Sequence, residues 1–154
     1  MEHKSSSGLN HGNARTAEQK ELMQKIESDG VCPFCAEHFT TYHPNPILKE
    51  TDFWFATTNM SPYEGTKYHF LFVYKPKHVT QFTEISTNAT ADLFVLLKDI
   101  TETYKIPGGS FFMRFGDTSY NGSSVEHLHA HLISGGNNHE NTEAIRIKLG
   151  WKNC

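Results

Sequence analysis

The chain has 154 residues, enough for one domain with a real core and too few for two comfortable ones. A net charge of −3 and the lack of any Lys/Arg run exclude the footprint of a duplex nucleic-acid binder, although a local pocket can still hold a small anion. No stretch approaches the roughly eighteen apolar residues of a membrane span, and the N-terminus lacks a signal peptide's apolar core, so a cytoplasmic protein with no membrane partner is expected. Residues 1–15, MEHKSSSGLNHGNAR, read as a disordered tail, and 16–154 as a single domain. TAEQKELMQKIES carries Leu22, Met23 and Ile26 as a narrow apolar stripe with Gly30 behind it, the pattern of a short amphipathic helix. Cys32-Pro33-Phe34-Cys35 follows, then HFTTYHPNPILKE, whose prolines argue for an irregular link into a strand near Ile47.

DFWFATT and KYHFLFVYK are aromatic and β-branched and too short for helices, so they read as neighbouring strands joined through Asn59 to Thr66, with Pro76 ending the second. From Thr87 or Asn88 to about Tyr104, apolar residues at Ala89, Leu93, Leu96, Leu97, Ile100 and Tyr104 mark one face of the main helix. SFFMRFG and VEHLHAHLI are two more strands, and AIRIKL, alternating Ile145, Ile147 and Leu149 with Arg146 and Lys148, a final one. Strands close in sequence around one long helix give an α+β domain: a mostly antiparallel sheet of about five strands, its helices on one face. There is no internal repeat and no glycine-rich phosphate loop, and Gly108-Gly109 reads as a turn.

In a strand, His127, His129 and His131 share one face at a spacing of roughly 6.6 Å, while Leu128, Ala130 and Leu132 face the core and Glu126 points away from the histidines. Imidazole can bind metal or do nucleophilic and acid-base chemistry at neutral pH, and spacing alone does not choose. Three cysteines are an odd number, and Cys32 with Cys35 fits a metal or redox motif better than a secreted disulfide framework, leaving Cys154 a spare thiol.

The stretch NGSSVEHLHAHLISGG resembles the signature of the histidine triad (HIT) nucleotide hydrolases and transferases, and YHFLFVYKPKHVTQF resembles the family's other block, a histidine opening a strand that ends in Pro-Lys-x-His. The resemblance implies a HIT-like fold, a nucleotide substrate and a two-fold homodimer. It makes His129 the nucleophile at the α-phosphorus, His131 the hydrogen-bond donor to the phosphate oxygens, Ser124 a phosphate or leaving-group contact and His69 a close neighbour of both. Some members add a Cys-x-x-Cys that joins two histidines around zinc; the matching residues are Cys32, Cys35, His78 and His127, a closed set and therefore a structural site. A redox dithiol is the alternative for the cysteine pair, but that motif normally follows a core strand, whereas a polar helix precedes it here. His3, His11, His38, His43 and His139 match nothing and are expected on the surface.

The match departs from the family in three places. Asn59 stands where an acidic residue usually holds the ribose hydroxyls, so a nucleotide contact there lacks charge assistance. The loop to His69 is longer than usual, and MRFGDTSYNG places Arg114, Phe115 and Asp117 where Asn-x-Gly is more common; Arg114 either serves an acidic substrate or faces solvent. The third histidine argues against the uridylyltransferase branch, and HLISGG is nearer the Hint-like branch, which hydrolyses purine nucleoside phosphoramidates, than the polyphosphate hydrolases, whose row runs on into Pro-Arg. The competing expectation is a zinc-stabilised nucleotide-binding regulatory module with little turnover.

Overall fold

The computed structural model describes residues 7–141 and 143–154. Five strands, β1 (Ile47–Glu50), β2 (Trp54–Thr58), β3 (Tyr68–Tyr74), β4 (Ser110–Arg114) and β5 (His129–Ser134), form one sheet in the order β1-β2-β3-β5-β4, every neighbouring pair antiparallel. The α+β expectation therefore holds. β5, last in sequence, inserts between β3 and β4, so its histidines lie in the interior of the sheet, fixed by ladders on both sides.

Strand alternation divides the side chains between two unlike faces. Trp54, Ala56, Phe70, Phe72, Leu128, Ala130 and Leu132 turn to one face, where they meet Ala89, Leu93, Leu96 and Ile100 of the main helix α3 (Thr87–Thr103). Ser86 caps that helix by accepting the Ala89 N–H at 3.1 Å. Trp54, fully buried, donates its indole Nε1–H to the Ala89 carbonyl at 2.8 Å and so pins the helix start to the sheet.

Phe55, Leu71 and Val73 turn to the other face and pack on Phe39 of a helix the sequence did not announce, α2 (Ala36–Tyr42). The residues expected to be an irregular link are helical up to Tyr42, and Pro44 accounts for the stop, because a residue before proline disfavours the α region. With seven residues and one buried side chain, α2 is held by the seat of Phe39 rather than by its own propensity. Helices thus cover both faces of the sheet, not one.

The first helix, α1 (Ala17–Asp29), forms as expected, with Thr16 accepting the Gln19 N–H and Gly30 stopping it at φ 70°. Its Met23 and Ile26 close a third cluster with Leu9, Leu22, Tyr42 and Val125. Residues 7–15, read as tail, are laid down: Leu9 bridges Val125, and Asn13 Nδ2 donates to the Ser123 carbonyl at 2.6 Å. Residues 1–6 of that tail lie outside the described residues. The expected last strand, AIRIKL, is absent. Ile145 and Ile147 are half-buried, which explains the alternation, but the segment joins no ladder. Among the described residues no helix is long and apolar enough to cross a membrane.

Candidate active site and metal centre

In the β5 ladders His129 lies between Val73 and Arg114, and His131 between Leu71 and Phe112. His69 of β3 stands one step along the same face, opposite Ile133. His127 falls outside the strand, which begins at His129 rather than at Val125. The preceding residues bond elsewhere: Glu126 N–H to the Gly8 carbonyl and Leu128 N–H to the Val79 carbonyl, both at 2.8 Å. His127 is therefore placed at the sheet corner, apart from the other two.

Backbone partners fix the tautomer of each ring. His129 Nδ1 lies 2.7 Å from the His127 carbonyl, so Nδ1 carries the proton and Nε2 keeps a lone pair. His127 is the reverse: Nε2 lies 2.7 Å from the Tyr74 carbonyl and donates to it, which leaves Nδ1 bare. His69 Nδ1 accepts the Tyr63 N–H at 3.2 Å, so its Nε2–H donates to His131 Nδ1 at 2.8 Å. His131 must then carry its proton on Nε2, a buried nitrogen with no hydrogen-bond partner. An unpaired buried donor costs on the order of 1–3 kcal/mol, and a ligand oxygen at that point would recover it.

Burial keeps these rings neutral. It pushes His129 down to about 4 and His69 to about 3, the latter helped by the positive charges of Arg15 and Arg114, and it holds His131 well below the ordinary range. Phe34, from between the two cysteines, sets its ring 4.9 Å from that of His129 at a steep angle, and Phe112 stacks on His131 at 4.7 Å. His129 and His131 line a cavity together with Asn59, Ser124, Arg15 and Arg114.

Cys32 Sγ and Cys35 Sγ approach the bare His127 Nδ1 at 3.5 and 3.6 Å, and Cys35 Sγ approaches His78 Nδ1 at 3.7 Å. All four ligand atoms lie within 4.8 Å of one another. A tetrahedral zinc ion with Zn–S of about 2.3 Å and Zn–N of about 2.05 Å requires sulfur-to-nitrogen edges of about 3.6 Å, which these three contacts match. Burial and the neighbouring Cys32 push the Cys35 thiol up to about 12, so it stays a neutral thiol unless a cation favours the thiolate. His78 turns its other nitrogen to Glu126 at 3.6 Å, the kind of outer partner that orients a ligating imidazole.

A profile of the HIT domain matches residues 41–138. The chain belongs to the HIT family. Comparison with curated proteins gives no match. Solved structures with the same fold include a histidine triad nucleotide-binding protein from Candida albicans, 20% identical, covering 75% of this chain and 79% of that one with a TM-score of 0.56. A Zn-bound histidine triad family protein from Mycobacterium smegmatis is 18% identical, covering 75% and 82% with a TM-score of 0.54. A HIT family hydrolase from Clostridium thermocellum is 23% identical, covering 65% and 86% with a TM-score of 0.52.

The residues singled out from sequence fall into two groups, all within the matched HIT domain except Cys32 and Cys35, which precede it. Asn59, Ser124, His129 and His131 line the cavity with His69 behind His131, and Cys32, Cys35, His78 and His127 form the cation group. Asn59 is partly committed, since its Oδ1 accepts the Ser61 N–H at 2.8 Å; its Nδ2 lies 3.1 Å from His69 Nε2, which already carries a proton and accepts nothing from it. Gln19 Nε2, from α1, donates to Ser124 Oγ at 3.3 Å, a contact that depends on a helix far off in sequence. Glu126, expected to point away from the histidine side, sits beside His78 instead, because His127 and its neighbours have left the strand. Arg114, whose solvent-facing reading was open, is buried on the cavity side. His43, expected on the surface, is 5% exposed, stacks on Phe39 at 4.6 Å and lines the cavity with both ring nitrogens lacking a hydrogen bond of normal geometry. Tyr63 was also missed, although its place in a lengthened loop before His69 was the available signal.

Proposed function

We propose that this HIT protein is a nucleotide hydrolase or nucleotidyl transferase that works through a covalent intermediate on His129. The observation that carries this reading is the His129 tautomer: Nδ1–H is bound to the His127 carbonyl, and the Nε2 lone pair is left beside the cavity. A neutral imidazole is a competent nucleophile without a separate base. His129 Nε2 would attack the α-phosphorus of a nucleoside phosphoramidate or (di)nucleoside polyphosphate. His131 Nε2–H, unpartnered and held in its tautomer by His69, would donate to a phosphoryl oxygen as charge develops. Ser124 would contact the phosphate or the leaving group, and Asn59 a ribose hydroxyl. The HLISGG ending supports a Hint-like, purine-preferring member.

In the same reading Cys32, Cys35, His78 and His127 hold a structural zinc ion, with no position left for water. That ion would supply a fixed tie between the N-terminal segment and the sheet. The edge strand β4, with Phe111 packed on the exposed Phe94 of α3, is the surface for the expected homodimer. The competing reading, a nucleotide-binding regulatory module, is favoured by one contact: Gln19 already occupies Ser124.

The deciding experiment mixes the protein with adenosine 5′-phosphoramidate or a diadenosine polyphosphate, quenches within the first turnover and measures intact mass. An acid-labile nucleotidyl adduct on the wild type and none on His129→Ala is the expected result. Nucleotide binding without adduct or release in either substrate would leave the regulatory module as the better reading.

A further inference from the structure

Arg114 is 8% exposed, on the face of β4 that turns to the histidine cavity and directly across the ladder from His129. Arginine does not deprotonate in proteins, and a buried charge is stable only when it is compensated. Among the described residues no carboxylate lies within ion-pair distance of Arg114, or of Arg15. Arg114 donates from Nε and Nη2 to the Lys148 carbonyl and from Nη1 to the Tyr63 hydroxyl at 2.8 Å. Those bonds use three of its five N–H groups and leave two. Arg15 covers the same tyrosine ring, with its guanidinium carbon 4.5 Å from the centroid, and is held there by the Ser61 and Pro62 carbonyls. Both guanidiniums line the cavity beside His129, His131 and Ser124.

The phosphorus under attack carries a single negative charge in a nucleotide diester or amidate, and His131 already supplies a donor for it. Two further full positive charges match a group with charge of its own. We propose that Arg15, Tyr63 and Arg114 form a subsite for an anionic leaving group, the second phosphate of a nucleoside diphosphate or the phosphoanhydride chain of a longer nucleotide.

This subsite rests on the nucleotidyl transfer proposed at His129. In that step the Nε2 lone pair forms the P–N bond while the bond from the α-phosphorus to the bridging oxygen breaks. The bond's electron pair departs on that oxygen, adding negative charge to the leaving phosphate next to the guanidiniums. Water then forms a P–O bond and releases a proton to solvent, and the P–N pair returns to Nε2. An amine leaving group gathers no such charge, so the subsite separates anhydrides from amidates.

Equilibrium binding of adenosine 5′-diphosphate and adenosine 5′-monophosphate to the full chain, in a His129→Asn background that stops turnover, reads the subsite independently of catalysis. The diphosphate is expected to bind about tenfold tighter than the monophosphate. Arg114→Gln and Arg15→Gln should each pull that ratio toward one. Arg15 is exposed, so its variant keeps the test readable if Arg114→Gln fails to fold, which its unfolding midpoint would reveal. Equal affinities for the two nucleotides, or losses in the Arg15 variant that fall equally on both, would overturn the proposal. Failure of the His129 chemistry shows elsewhere, as a missing adduct on the wild type.

Discussion

His127 and His129 stand two residues apart and are wired in opposite senses. His127 gives its Nε2 proton to the Tyr74 carbonyl and turns a bare Nδ1 to the two thiols; His129 gives its Nδ1 proton to the His127 carbonyl and keeps a bare Nε2 beside the cavity. Burial brings both rings down to about 4, so acidity does not tell them apart. The backbone carbonyl each one meets does. A neutral imidazole has one lone pair, and whichever nitrogen is tied to a carbonyl decides where that lone pair points. In the proposed function the same residue type would thus serve as a cation ligand at the sheet corner and as a nucleophile in its middle.

The strongest way to break this contrast is to exchange the losses. His129→Asn is expected to lower kcat/KM by about four orders of magnitude or more while leaving bound metal unchanged, as read by metal analysis beside steady-state rates. His127→Asn should do the reverse and shed the metal first. A His129 variant that loses metal, or a His127 variant that keeps it, would show that the two rings do not divide the work as drawn.

Removing a sulfur ligand should come next in size. Cys32→Ser leaves an incomplete set and is expected to lower the unfolding midpoint by on the order of 10 °C, with metal stoichiometry falling in parallel. Chelator treatment of the wild type should reproduce the shift. A midpoint indifferent to both would mean that the corner is held by packing alone.

The corner and the cavity were not equally legible from sequence. The histidine row and the cysteine pair are local patterns: His129 and His131 keep the strand alternation expected of them, while His127 leaves the strand for the corner where the two cysteines meet it. The long helix was legible for the same reason: Ala89, Leu93, Leu96 and Ile100 repeat at its pitch and all are buried. What lay beyond reach was set by tertiary contact. Nothing near Phe39 announces a helix, since its partners Phe55, Leu71 and Val73 come from two other strands. Alternation also misled: AIRIKL has the pattern of a strand but joins no ladder, although its Lys148 carbonyl accepts from Arg114 of the edge strand β4, and the strand expected from Val125 gives up its first residues to Gly8 and Val79. Arg15 lay in a stretch whose composition reads as tail, yet it reaches the cavity through Tyr63.

Phe34 connects the two regions and offers a smaller, sharper test. It sits between Cys32 and Cys35, and its ring meets His129 and Phe39 at 4.9 and 5.8 Å. Phe34→Ala should therefore retain the metal but let the His129 ring move, and a misplacement of this kind is expected to lower kcat about tenfold. An unchanged kcat would mean that the His127 carbonyl alone holds the nucleophile, and that corner and cavity act independently.

The smallest expected effect concerns the ring that supports His131. His69 is held down to about 3 from an ordinary value of 6.5, first by burial and then by Arg15, so it stays neutral in the folded chain where the unfolded chain takes up a proton. Its contribution to stability is complete above pH 6.5 and is lost as pH falls toward 3, at about 1.4 kcal/mol per pH unit. Urea unfolding of the wild type and His69→Gln between pH 7 and about 5 should show the variant's slope shallower by about that amount, with the metal corner common to both and cancelling. A slope that does not change would mean that His69 is protonated in the fold. Its Nδ1–H would then oppose the Tyr63 N–H it is drawn as accepting, and the chain of tautomers that leaves His131 Nε2–H for the substrate would have to be redrawn.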